Sequence, residues 1–191
     1  IISSSNKGGS MLEINVPANT LWNAEKEEFV NVKAAKLQLE HSLISLSKWE
    51  AKYERPFLKV YEKDNNGPNT MEELLDYIRF MTLTNNVDPN VYLCLTNENL
   101  KDIQDYIGKK MTATTFTDNS PNKTKNGDIM TSEVIYYYMA AAQIPFSCEK
   151  WHLNRLLTLL HVASIKSNPD SKKMPKRDVS AYYAKLNRER R

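Results

Sequence analysis

Between Ile144 and Lys166 the chain reads IPFSCEKWHLNRLLTLLHVASIK. This stretch holds two of the three histidines, His152 and His161, and one of the two cysteines, Cys148. Thiolate and imidazole are natural ligands for zinc and partners in nucleophile–base chemistry, so their spacing decides whether such chemistry is available. His152 and His161 stand nine residues apart. On a helix that is two and a half turns, which sends the two rings to opposite sides and prevents them from sharing a metal. Cys148 and His152 have the i,i+4 spacing that places two ligands on one face, but the sequence supplies no CxxC, no HxxxH and no third ligand at a matching interval. No metal-ligating set is expected. His152 and Arg155 are expected on the polar side of the helix or bonded to a neighbouring loop, opposite an apolar face of Trp151, Leu156, Leu157, Leu160 and either Val162 or Ala163.

Other chemistries lack their residues as well. A phosphate cradle needs glycines at fixed intervals. The chain has five, two of them within the first ten residues, and neither a Walker loop nor GxGxxG occurs. There is no GxSxG elbow. Carboxylates are plentiful (Glu25, Glu27, Glu28, Glu72, Glu73, Asp76) but fall where solvated surface charge is expected. The reading is therefore no catalytic residue, no cofactor and no enzyme.

The elements that would position these residues follow from periodicity. LEINV, EFVNV and KLQLE alternate with period two and predict a small antiparallel sheet. Ser47 with Glu50 has capping-box spacing for a short helix carrying Trp49 and Tyr53, which Pro56 ends. Thr70 with Glu73 repeats that spacing ahead of a stripe of Leu74, Leu75, Ile78 and Met81. VYLCL at 91–95 is either a buried strand or an irregular packed segment. Thr96 caps a helix bearing Leu100, Ile103 and Ile107, stopped by Gly108. Residues 112–128 lack periodicity and read as a loop. A helix is expected from Asp128, with Met130, Val134, Ile135, Tyr138, Met139 and Ala142 at helical spacing, and Pro145 breaks it. Ser147 is then expected to cap the last long helix. Past it, DVSAYYAKLNRERR has a thin stripe of Val179, Tyr182, Tyr183 and Leu186, too little to order alone but enough to dock on a partner.

These pieces give an α+β fold, predominantly helical. Residues 1–10 read as a cloning remnant, 11–62 as a β-containing N-terminal region, 70–166 as a helical core domain and 167–191 as a basic amphipathic tail. No apolar run reaches the length of a membrane span, and no signal peptide is recognised. Cys94 and Cys148 lie far apart in apolar surroundings and read as reduced and buried. The net charge of +3 conceals an asymmetry: from Lys166 onward nine Lys/Arg face three Asp/Glu, leaving the rest of the chain at −3. Lys185 and Arg188, with Tyr182 and Tyr183 to stack on bases, admit nucleic acid as a partner, though such termini are more often solvated or protein-binding. Three consecutive tyrosines, Tyr136, Tyr137 and Tyr138, cover more than half a helical turn, so at least one must leave the core face and suits a protein contact. With Trp151 these complete the expected contact residues.

The stretches TSEVIYYYMAAAQIPFSCEKWHLNRLLTLLHVASIK, KKMPKRDVSAYYAKLNRERR and LEHSLISLSKWEAKYERPFL, with DYIRFMTLT and MTATTF between them, resemble the tail assembly chaperones of long-tailed bacteriophages. The resemblance covers nearly the whole chain after Met11. It implies a small, non-enzymatic viral protein of the infected host cytoplasm, absent from the finished virion. Such proteins bind the long apolar helices of the tape measure protein and keep it soluble until tail tube protein polymerises around it; self-association of this chain stays open as well. Small helical folds are common in the group. Two other classes stay open: a structural tail, neck or baseplate component, and a nucleic-acid-binding regulator using the basic end.

Overall fold

The computed structural model describes residues 11–58, 67–116 and 129–167. Its first elements are four strands, β1 (Leu12–Val16), β2 (Asn19–Asn23), β3 (Glu28–Val32) and β4 (Ala35–Leu39). β1 pairs antiparallel with β4 from Leu12↔Leu39 to Val16↔Ala35, and β2 with β3 from Asn19↔Val32 to Asn23↔Glu28. Along this hairpin the pairing stays in step from one two-stranded ladder to the next, but the buried side changes at the break by Pro17, from Ile14, Val16, Leu37 and Leu39 to Leu21 and Val32. A proline has no N–H to give a ladder, and the break falls there. Ile14, Val16, Leu37 and Leu39 point inward and are buried, while Glu13 meets Lys36 at 2.8 Å and Gln38 at 3.0 Å on the outer face. Strand β2, NTLWN, is absent from the three alternating stretches read from the sequence. Its asparagines at both ends hid a strand whose single hydrophobic partner on the inner face is Leu21.

The free edge of β4 is closed by the chain after the second helix. Glu40 N–H donates to Met81 O at 2.9 Å and Leu83 N–H to Gln38 O at 2.8 Å.

Helix α1 (Leu43–Tyr53) begins earlier than its expected cap. Ser42, not Ser47, is the N-cap, and it exchanges the two capping-box bonds with Ser45. Ser47 is already inside the helix, and Glu50 is buried and used elsewhere. Helix α2 (Met71–Met81) is capped by Thr70 as expected; Glu73, however, accepts from Asn69 N–H at 2.7 Å and pairs with Arg55. A 3₁₀ helix, Pro89–Cys94, buries Val91, Tyr92 and Cys94, which resolves VYLCL as the irregular packed segment. Helix α3 (Asn97–Ile107) has a full capping box from Thr96 and Asn99. It ends at Gly108 with right-handed backbone, so the glycine is not there for a left-handed turn.

Helix α4 (Ser132–Ala141) starts after Thr131 rather than at Asp128, which lies outside the described residues. The last segment also departs from expectation: Ser147 sits within a 3₁₀ turn, Phe146–Lys150, and α5 (Leu153–Ser167) begins only after Trp151 and His152. The tail beyond Ser167 lies outside the described residues.

Two apolar clusters hold the chain. The first joins Ile14, Leu37 and Leu39 of the hairpin to Trp49, Tyr77, Ile78 and Met81 and on to Ile103 and Tyr106. It joins residues on both sides of 63–69, where the sequence places a boundary. The second joins Leu43 and Leu46 of α1 to Ile135, Met139, Cys148, Leu153 and Leu156, and Phe57 packs on both. Helix α1 thus turns Trp49 to one cluster and Leu43 and Leu46 to the other. The fold is α+β: an N-terminal antiparallel β-region followed by helices. No described helix is long and apolar enough to cross a membrane.

Candidate interaction surface

Helix α4 carries two of the exposed aromatic side chains, Tyr137 and Tyr138, and others stand on the hairpin (Trp22, Phe29) and in the segments beside α4 and α5 (Phe116, Phe146). Successive residues on a helix turn by about 100°, so three tyrosines in a row cannot share an environment. Tyr136 turns toward the 3₁₀ segment and donates its hydroxyl to Glu149 Oε2 at 2.9 Å. Burial and then that carboxylate push its pKa up to about 12. Tyr137 and Tyr138 face solvent, 68% and 40% exposed, with ring centroids 5.6 Å apart. Ile129 and Phe146, at either end of this region, are exposed as well.

Beside Tyr138 lies a groove of about 610 Å³ between α4 and the C-terminal half of α5. Met130, Leu157 and Leu160 give it apolar walls; Ala141, Ala142, Ala163, Ser164 and Ser167 give it small side chains. His161 borders it, its ring 4.2 Å from that of Phe116. A groove of this lining favours an incoming helix that brings its own large apolar side chains.

Trp151, expected as a contact, is half-buried against the second cluster, and the Arg155 guanidinium covers its ring at 4.3 Å. The structure therefore brings Tyr137 and Tyr138 together on one surface, turns Tyr136 aside, and sets Trp151 apart from the groove. Tyr182, Tyr183, Lys185 and Arg188 lie outside the described residues.

His152 does not lie on a polar helix face. It is buried at the start of α5, where Asn154 N–H donates to Nδ1 at 3.3 Å. That leaves Nε2 to carry the proton donated to the Tyr106 carbonyl at 3.0 Å. His41 is buried beside it, ring centroids 5.1 Å apart, with Nδ1 2.5 Å from the Tyr77 hydroxyl. Burial, reinforced by His152, drives His41 down to about 3, and burial lowers His152 against the opposing bond to Tyr106 O. Next to them Tyr106 donates its hydroxyl to Glu40 Oε1 at 2.8 Å, and burial raises the Glu40 carboxyl. Both histidines are held neutral and enclosed, which suits joining three chain segments better than shuttling protons. Sequence reasoning passed over Glu40, His41 and Ser42. Three polar residues without glycine or proline between an apolar strand and an apolar helix are the signal that could have marked a buried junction.

The carboxylates also separate. Glu25, Glu27, Glu28 and Glu72 are exposed, as expected, but Asp76 is 4% exposed. It accepts from Lys52 and Tyr53 on one oxygen and from Arg79 on the other. Burial raises its carboxyl, and the bonds from Lys52 and Tyr53 outweigh that and hold it below the usual range. Among the described residues no group of three His, Cys, Asp or Glu side chains could hold a metal ion. Cys94 and Cys148 are free thiols, both buried.

Compared with protein-family models, with curated proteins and with solved structures, the chain gives no match.

Proposed function

We propose that the chain is a tail assembly chaperone of a long-tailed bacteriophage. It would work in the cytoplasm of the infected host, without catalysis, on an amphipathic helix of the tape measure protein. The observation that carries this reading is the α4–α5 groove, lined by Tyr138, whose ring is neighboured by that of exposed Tyr137. A helix presenting apolar residues at i, i+3, i+4 and i+7 matches an apolar groove with a small-residue lining, and flanking tyrosines add area at low entropic cost. Met130 supplies an adaptable wall for a client with varied side chains.

The test is co-expression with the tape measure protein encoded beside this chain in its source genome. The wild-type chain is expected to retain the client and raise its soluble fraction. Ala142→Trp, at an exposed position that lines the groove, is expected to reduce retention at least tenfold while leaving the circular dichroism unchanged. A client that stays insoluble and unbound beside the wild-type chain sinks the chaperone reading.

A structural tail component is the second reading. It is favoured by Trp22 and Phe29, which pair across the outer face of the hairpin while 55% and 70% exposed. Stoichiometric recovery of the chain from purified particles would put this reading first.

A further inference from the structure

We propose that the far half of the hairpin is a second docking surface, which takes an arginine- or lysine-bearing segment of a partner protein on the exposed rings of Trp22 and Phe29. This does not rest on the groove or on its client. Three observations converge on a cationic protein segment as the occupant.

The first is the face itself. Trp22 and Phe29 stand opposite each other in the β2–β3 ladder, 55% and 70% exposed. Their rings meet edge-on at 63°, which leaves ring faces open. The next pair on that side is Thr20 and Asn31, where the threonine hydroxyl donates to Asn31 Oδ1 at 2.9 Å and gives the rings a polar border. The other side of the ribbon is anchored: Val32 is buried, and Leu21 packs on the first cluster. The two rings are therefore held out on strands whose direction is fixed, so binding has little left to order on this side.

The second is what these rings lack. The protein has three tryptophans. Arg55 lies over Trp49 at 5.1 Å and Arg155 over Trp151 at 4.3 Å. Among the described residues no cation lies over Trp22 or Phe29. The negative face of an aromatic ring attracts a guanidinium or an ammonium, and here a partner can bring one.

The third is charge. Where β2 turns into β3, Glu25, Glu27 and Glu28 stand against Lys26, a balance of −2. All three carboxylates are exposed. Among the described residues none of them is in an ion pair, whereas Glu13, Glu73 and Asp76 all are. Asn23 Oδ1 accepts from Glu25 N–H at 3.0 Å and from Lys26 N–H at 3.2 Å, which holds the turn against the end of the ribbon.

Open rings beside unpaired carboxylates complement arginine or lysine, the rings taking the cation and the acids steering it. The same carboxylates repel phosphates, which disfavours nucleic acid even though the rings could stack on bases. A symmetric pairing of two copies through these rings would bring two acidic turns close together, which like charge opposes.

The experiment uses the full chain and two short fluorescein-labelled peptides, one alternating arginine with threonine, the other glutamate with threonine. Fluorescence anisotropy at low salt is expected to show binding of the arginine peptide alone. Trp22→Ser with Phe29→Ser is expected to weaken that binding at least tenfold. Glu25→Gln with Glu27→Gln is expected to weaken it at least threefold, a difference that vanishes at high salt. Both double variants concern exposed side chains and should keep the wild-type circular dichroism. An arginine peptide that fails to bind, or binding unmoved by the ring substitutions, overturns the inference; the second result would mean general attraction to acidic surface. Sedimentation of the wild-type chain supplies the remaining arm. A dimer that Trp22→Ser with Phe29→Ser dissolves would assign the rings to a second copy and overturn it as well.

Discussion

At Glu50 one buried carboxylate joins segments 82 positions apart. One oxygen accepts from Phe57 N–H at 2.8 Å, past the end of α1, and the other from Ser132 N–H at 2.7 Å, at the first turn of α4. Thr131 makes no side-chain cap bond to α4, and Glu50 serves one of the first-turn amides that have no partner within the helix. Glu50→Gln would turn an amide N–H₂ toward one of those donors and leave it unsatisfied. A loss of about 2 kcal/mol in unfolding free energy is expected, read from urea midpoints by circular dichroism. Exposed Glu72→Gln should stay within about 0.5 kcal/mol; equal losses from both would remove the bridging role. Ser47-x-x-Glu50 has the spacing of a capping box, and only the tertiary position of Ser132 shows what the glutamate does instead. The competing cap won because the backbone is extended at Ser42 and already helical at Ser47.

Elements carry the difference between packed and exposed structure most clearly in the hairpin. Its near half places Leu37 and Leu39 at zero exposure in the first cluster. Its far half keeps Trp22 and Phe29 directly opposite each other on the outer face, rings 4.9 Å apart and edge-on. Such a cross-strand pair contributes about 0.5–1 kcal/mol to the local ladder, little of which reaches the global transition. Trp22→Ser with Phe29→Ser is therefore expected to leave the urea midpoint within the equivalent of about 1 kcal/mol. Leu37→Ala, which opens a cavity, should cost about 2–5 kcal/mol. A double substitution as costly as Leu37→Ala would mean that the outer pair is core, not surface. Alternation in LEINV and KLQLE made the near half legible, because every second residue there is apolar. In NTLWN polar ends obscured the alternation, and the partner strand alone defines it.

For the whole molecule, the decisive junction is where the β4–α1 connection meets the ends of α3 and α5. His41 O accepts from Leu153 N–H at 2.7 Å, and His152 bonds to the end of α3. Both imidazoles have folded pKa values below the ordinary 6.5, His41 at about 3. The unfolded chain takes up protons first as pH falls, so stability is full above about pH 6.5 and declines from there toward pH 3. Glu40 acts in the opposite sense: its raised carboxyl binds a proton more readily when folded and returns part of the loss near its own titration. The urea midpoint is expected to fall steadily between pH 7 and pH 5. His152→Asn, whose amide can still donate to the Tyr106 carbonyl, should flatten that fall. A wild-type midpoint constant over this range would contradict the buried neutral pair.

The sequence by itself determined the α+β class, the order of the helices α1 to α5, the caps at Thr70 and Thr96 and the burial of both cysteines. These follow from local periodicity and from side chains that satisfy their own neighbours' backbone groups. Tertiary structure decided what local patterns leave open. It made one cluster of the hairpin with α2 and α3, gave Glu50 and Asp76 buried partners, and set His41 against His152. It also chose which of three adjacent tyrosines faces solvent and opened the groove between α4 and α5. Each of these depends on segments distant in sequence meeting in space, and burial is a property of that meeting, not of any single stretch of residues.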